Sequence, residues 1–186
     1  MRVSRTERAA ILLIAAVGLV LAFVPASASC AIVGDSIAVS VGRFIEECLV
    51  DAKSGIPSAE VIPRVHPADV LFVSAGSNDP RNPRLEDNLR MIRAKASAAV
   101  VWIVPISPTA AVAVERVAAT HDDPIVRFEP SSDGVHPKSY SDLAIALRRF
   151  LSVGLFKREP DIVGTNASRD RYKGLRTLLR HLASSV

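Results

Sequence analysis

The 186-residue chain has little of what marks several large protein classes. Aromatic residues make up 5 % of it, with a single tryptophan, so platforms for stacking bases are few. Charge of one sign is also scant, since 23 Lys and Arg face 19 Asp and Glu for a formal +4. The first 28 residues carry three Arg and one Glu, and residues 153–186 carry seven basic against three acidic side chains. Residues 29–152 are therefore net −2. A body of that charge lacks the basic footprint of a nucleic-acid binder, and no nucleic-acid partner is expected. Internal repeats and low-complexity segments are missing too. His66, His121, His136 and His181 are scattered without metal-ligand spacing, so neither a metal nor another cofactor is expected. The tightest group, His121 with Asp122 and Asp123, reads as a solvated turn at the end of the sheet away from its ligand-binding rim.

The long apolar run, residues 9–23, is short against the ~20 residues of a spanning helix. Arg2, Arg5 and Arg8 precede it, and Pro25 and Ala26-Ser27-Ala28 follow. That layout predicts a signal peptide over 1–28, and hence export to the periplasm or beyond. A membrane anchor is the competing reading, and Ala28-Ser29 before Cys30 fits a lipid-attachment signal poorly. Residues 29–153 are the size of one domain with a full core. Residues 154–186 read as a basic linker and an amphipathic helix near Tyr172–Ala183. That helix either docks on the domain or touches an acidic envelope surface.

Cysteine is limited to Cys30 and Cys48. A strand over 31–35 rises about 17 Å, and a helix over 37–48 returns about 18 Å. Both sulfurs would then meet at one end of the sheet, as a disulfide or as two buried thiols.

What is present is a strict alternation. "AIVG" at 31–34 reads as a strand and "IAVSVGRFIEECLV" as a helix, with Ile37, Val41, Phe44, Ile45 and Leu49 on one face. A short strand near 50–53, a turn at Ser54-Gly55 and a Pro63-interrupted helix follow. "DVLFVSA" at 69–75 is a doubly covered strand, then a helix opens near Pro83. A strand at 99–106 holds Trp102 in the core, a helix covers 110–121, a short strand covers 124–128, and a last helix follows Pro137. The pattern predicts an α/β fold: a three-layer α/β/α, flavodoxin-like arrangement of about five parallel strands.

Such sheets bind ligands beyond the carboxyl ends of their strands. On that rim fall Gly34-Asp35-Ser36, Ser54-Gly55, Gly76-Ser77-Asn78-Asp79, and "SSDGVHP" with Asp133 and His136. Each alone is an ordinary loop. Together they supply an acyl-transfer set: Ser36 as nucleophile, His136 as its base, and Asp133 to fix the imidazole tautomer. The N–H groups of Ser36 and Gly55, with the Asn78 amide, form a candidate oxyanion hole. One such donor is worth about 3–4 kcal/mol in the transition state. Asp35 and Asp79 are read as holding their loops. The α/β-hydrolase elbow Gly-x-Ser-x-Gly is absent, because Ala38 stands where its second glycine belongs.

These four blocks resemble, in identity, order and spacing over residues 31–152, the SGNH (GDSL-type) hydrolase family. The resemblance implies a flavodoxin-like fold and no metal. It implies Ser36 as nucleophile, Gly55 and Asn78 as oxyanion donors, His136 as base and Asp133 as its partner. The expected activity is that of an exported serine esterase removing small acyl groups, acetyl above all, from an ester or acylated glycan of the cell envelope. Two alternatives remain open: an O-acyltransferase using the same site, and a non-catalytic glycan-binding protein on the same fold.

Overall fold

The computed structural model describes residues 28–97 and 99–152. The expected signal peptide and tail helix lie outside the described residues. The elements run β1 (Ala28–Gly34), α1 (Ser36–Gly42), β2 (Leu49–Ala52), α2 (Ser58–Val61), a 3-10 turn (Ile62–Arg64), β3 (Ala68–Ser74) and α3 (Leu85–Lys95). They continue with β4 (Ala99–Ile103), α4 (Pro108–His121), β5 (Ile125–Val126) and α5 (Tyr140–Ser152). All strand pairs are parallel, in the order β2-β1-β3-β4-β5. This is the expected five-stranded α/β sheet.

Alternation along each strand sorts its side chains between two cores. Ala31, Val33, Leu71, Val73, Val100 and Trp102 face one side, under α2, α3 and α4. Cys30, Ile32, Val70, Phe72, Val101 and Ile103 face the other, under α1 and α5. Both faces are covered, which is why the strands read as unbroken apolar runs. Among the described residues no helix is long and apolar enough to cross a membrane.

The first helix departs from expectation. It ends at Gly42 instead of running to residue 50. Beyond it the chain descends in tight turns, with Phe44 N–H on Val41 C=O, Ile45 N–H on Gly42 C=O and Cys48 N–H on Ile45 C=O. Val50 crowds the place where any side chain at residue 42 would lie. Phe44 and Leu49 consequently leave the buried stripe and are 44 % and 47 % exposed, whereas Ile37, Val41 and Ile45 are buried. Cys30 and Cys48 are joined as a disulfide, with Cα atoms 4.8 Å apart.

Asp123 also departs from its reading as a solvated turn residue. It takes a two-pronged ion pair from Arg93 of α3, Nε at 2.5 Å and the terminal nitrogen at 3.0 Å, and accepts the Trp102 indole N–H at 3.2 Å. One buried carboxylate thus ties α3, β4 and the entry to β5. His121 and Asp122 do end α4 as read, Asp122 adopting a left-handed conformation.

Candidate active site

Strand β1 delivers its last residue into unusually close quarters. Gly34 lies opposite Ser74 of β3 with φ of +141°, and a Cβ there would collide with the Ser74 carbonyl. Only glycine fits, and the next peptide, Asp35 N–H, bonds that same carbonyl at 3.2 Å. Asp35 caps α1, its Oδ1 accepting Ile37 N–H at 3.1 Å and the Ser74 hydroxyl at 2.7 Å. Its Oδ2 is buried and faces the buried Ser77 hydroxyl. Burial pushes the Asp35 carboxyl up from its ordinary range, against the opposing pull of the Ser74 and Ser77 hydroxyls and the Ile37 and Ala38 N–H groups. Asp35 therefore holds its loop, as read from the sequence.

Ser36, first residue of α1, is left at the rim. Its Oγ donates to His136 Nε2 at 2.9 Å, across 100 residues of sequence. His136 Nδ1 donates in turn to Asp133 Oδ2 at 2.7 Å. The other Asp133 oxygen accepts the N–H groups of Val135 and His136 at 2.8 and 2.9 Å and the Ser131 hydroxyl at 2.8 Å. These donors, the His136 and Val135 N–H groups foremost, hold the Asp133 carboxyl well below the usual carboxylate range. An ionised Asp133 can only accept, so the imidazole hydrogen sits on Nδ1 and the Nε2 lone pair faces Ser36. The loop carrying both residues is closed at its base by a bridge between Pro130 and Pro137 and by Lys138 N–H on Glu129 C=O.

Besides Ser36 itself, the two other expected oxyanion donors stand on neighbouring loops. Gly55 lies in the exposed turn after β2, and Asn78 in the loop after β3. The Asn78 amide donates one hydrogen to Ile56 C=O at 3.0 Å, joining the two loops and leaving its second N–H for another acceptor. Asp79 fastens the same pair, accepting Ser58 N–H at 3.1 Å, the Ser58 hydroxyl at 2.6 Å and the Asn82 amide at 2.8 Å. Asn88 of α3 completes this anchor by donating to Ser58 Oγ at 2.9 Å. Sequence reasoning passed over Ser58 and Asn88. The signal for Asn88 was there, an amide beside Leu85, Leu89 and Ile92 on the apolar stripe of a helix.

A second imidazole–carboxylate pair lies at the β2 edge, where His66 Nε2 donates to Asp51 Oδ2 at 2.7 Å and Arg64 pairs with Oδ1 at 2.5 Å. His66 foremost, with Arg64, lowers the Asp51 carboxyl. No hydroxyl bonds the other ring nitrogen of His66 among the described residues. A base–orienter pair without a nucleophile is a surface ion cluster.

The chain is similar to a known catalytic domain. That domain is the C-terminal one of Streptococcus pneumoniae peptidoglycan O-acetyltransferase A (OatA), solved with a methylsulfonyl adduct. Identity is 13 %, over 67 % of this chain and 94 % of that chain, with a TM-score of 0.48. No family model matches the chain, and no curated protein matches it in sequence.

Proposed function

We propose that this chain is an exported serine ester hydrolase of the SGNH (GDSL-type) kind. The supporting observation is the continuous relay of hydrogen bonds from Ser36 through His136 to Asp133. In this reading the Ser36 hydroxyl attacks the ester carbonyl as its proton passes to His136 Nε2. The imidazolium then returns that proton to the departing alcohol. Ser36 N–H, Gly55 N–H and the free N–H of Asn78 meet the oxyanion. Water, deprotonated by the same imidazole, clears the acyl-enzyme and restores Ser36.

The exposure of the relay favours a small acyl group. The His136 and Asp133 side chains are 37 % and 51 % exposed. A cleft of about 500 Å³ opens between α3 and α4, lined by Pro80, Pro83, Val112 and Arg116 among others, and no member of the relay borders it. A relay so open to solvent suits acetyl better than a long chain, and suits a solvated glycan ester as its carrier. Export is supported by the Cys30–Cys48 disulfide, a bond at home in oxidising compartments, and by the composition of residues 1–28.

A fluorophosphonate probe tests the assignment. Wild-type protein is expected to be labelled and Ser36→Ala not, with acetyl nitrophenyl esters cleaved faster than octanoyl ones. Labelling that persists in Ser36→Ala would remove the nucleophile, and a preference for octanoyl esters would remove the small-acyl reading. Offering a chito-oligosaccharide alongside the ester then counts acetate released against acetyl transferred.

A further inference from the structure

Two hydroxyl-bearing side chains lie on the helix that Ser36 opens and the helix that follows His136, and the relay uses neither. Ser40 stands four residues after Ser36 on α1, so the two project from the same helical face. Both are partly exposed, while Ile37, Ala38 and Val41 around them are buried. Tyr140 stands four residues after His136 and opens α5, which packs against α1. Its ring rests half-buried on the α1–α5 core, and its phenol oxygen faces the Ser40 hydroxyl. Burial foremost, with the charges of Asp133 and Asp35 behind it, raises the Tyr140 phenol above its ordinary value, although Ser40 pulls the other way. The phenol keeps its proton in neutral solution and remains a donor. When it accepts the Ser40 hydrogen, its own hydrogen is free for a ligand.

The direction of the reaction says which half of a substrate meets this pair. The departing alcohol oxygen must lie beside His136 Nε2, because it receives its proton there. The oxyanion must lie on the opposite side, toward Gly55 and Asn78. Those two loops lead into α2 and α3 on one face of the sheet. His136, Ser40 and Tyr140 belong to the loop and helices of the other. The alcohol half of the ester therefore extends across α1 and α5.

We infer that Ser40 and Tyr140 form an alcohol-side subsite in which the Tyr140 hydroxyl donates to a second oxygen of the alcohol. The inference rests on the ester-hydrolase reading above and narrows it. Esters of a sugar or other polyol are preferred over esters of an alcohol with one oxygen.

The test uses the full chain, with 6-O-acetylglucose and phenyl acetate as paired substrates. Tyr140→Phe is expected to lower kcat/KM for the acetylated sugar about five- to tenfold, the worth of one neutral hydrogen bond. Phenyl acetate hydrolysis and fluorophosphonate labelling stay within about twofold of wild type in the same variant. Ser40→Ala is expected to show the same selective loss at smaller amplitude. Equal kinetics on both substrates in both variants, or parallel losses on both, would overturn the subsite while Ser36 labelling leaves the hydrolase reading standing. Wild-type protein that is neither labelled nor active on either ester would overturn the hydrolase reading and the subsite with it.

Discussion

Asp35 precedes Ser36 in the chain and Asp133 holds the imidazole that Ser36 meets, and their surroundings drive the two carboxyls in opposite directions. Asp133 lies at the surface, and its donors are backbone N–H groups a few residues ahead, so it stays ionised and fixes the imidazole tautomer. Asp35 is wholly buried, and desolvation raises it. The consequence for stability has a definite sign. Above the ordinary carboxyl range the unfolded chain has released this proton while the folded chain still binds it. The stability owed to the protonated form is complete at low pH and declines as pH rises through the raised value. Asp35→Asn keeps an oxygen for Ser74 and Ile37 but does not titrate. The unfolding free energy of wild type, measured against this variant in urea, is expected to fall over the span in which pH rises above the ordinary carboxyl value of about 4. A difference that is flat or rising over that span would show that Asp35 titrates as an ordinary carboxyl.

Among the elements, what could be read from sequence and what could not divide along a physical line. Strand-helix alternation was legible because both faces of the sheet are covered, which leaves runs such as "LFV" with no polar interruption. The rim loops were legible because a parallel sheet sends every strand's carboxyl end the same way. Hidden from a local reading were interactions whose second partner is far along the chain. The stripe Ile37, Val41, Phe44, Ile45, Leu49 fits a longer helix, and nothing local marks Gly42 as its last residue or shows that Val50 packs where a side chain there would lie. Asp123 sits among His121 and Asp122 in what looks like a solvent turn, and its partner Arg93 lies 30 residues back in the last turn of α3. A basic residue there is explained equally well by the helix dipole. The side chains of Arg93 and Asp123 are only 15 % and 5 % exposed. Removing one partner of such a pair strands the other charge, at about 3–5 kcal/mol. Asp123→Ala, which also orphans the Trp102 indole N–H, is expected to lose about that much in urea unfolding. Its kcat at 25 °C should match wild type, since the relay belongs to other loops. A loss below about 1 kcal/mol would mean that solvent already screens the pair, as at exposed sites.

Across the whole molecule, the disulfide and the relay occupy opposite ends of β1. Cys30 lies near the start of the strand, and Ser36 follows two residues after it ends. The bond closes a loop of 18 residues that contains the end of β1, the turn at Asp35 and Ser36, and all of α1. Cross-linking a loop of that size removes about 3 kcal/mol of freedom from the unfolded chain. It leaves the folded rim alone, because Gly34, Asp35 and Ser36 are held by β3 through the Ser74 carbonyl and hydroxyl. Both cysteines are buried and pack as small apolar side chains whether or not they are joined. The double variant Cys30→Ala/Cys48→Ala is therefore expected to unfold roughly 10 °C below wild type, as about 3 kcal/mol implies for a domain of this size. At 25 °C, while still folded, it should keep the wild-type rate of fluorophosphonate labelling at Ser36. Slower labelling in a variant that remains folded would mean that tension carried along β1 sets the position of the serine, and the rim would then depend on the far end of the sheet.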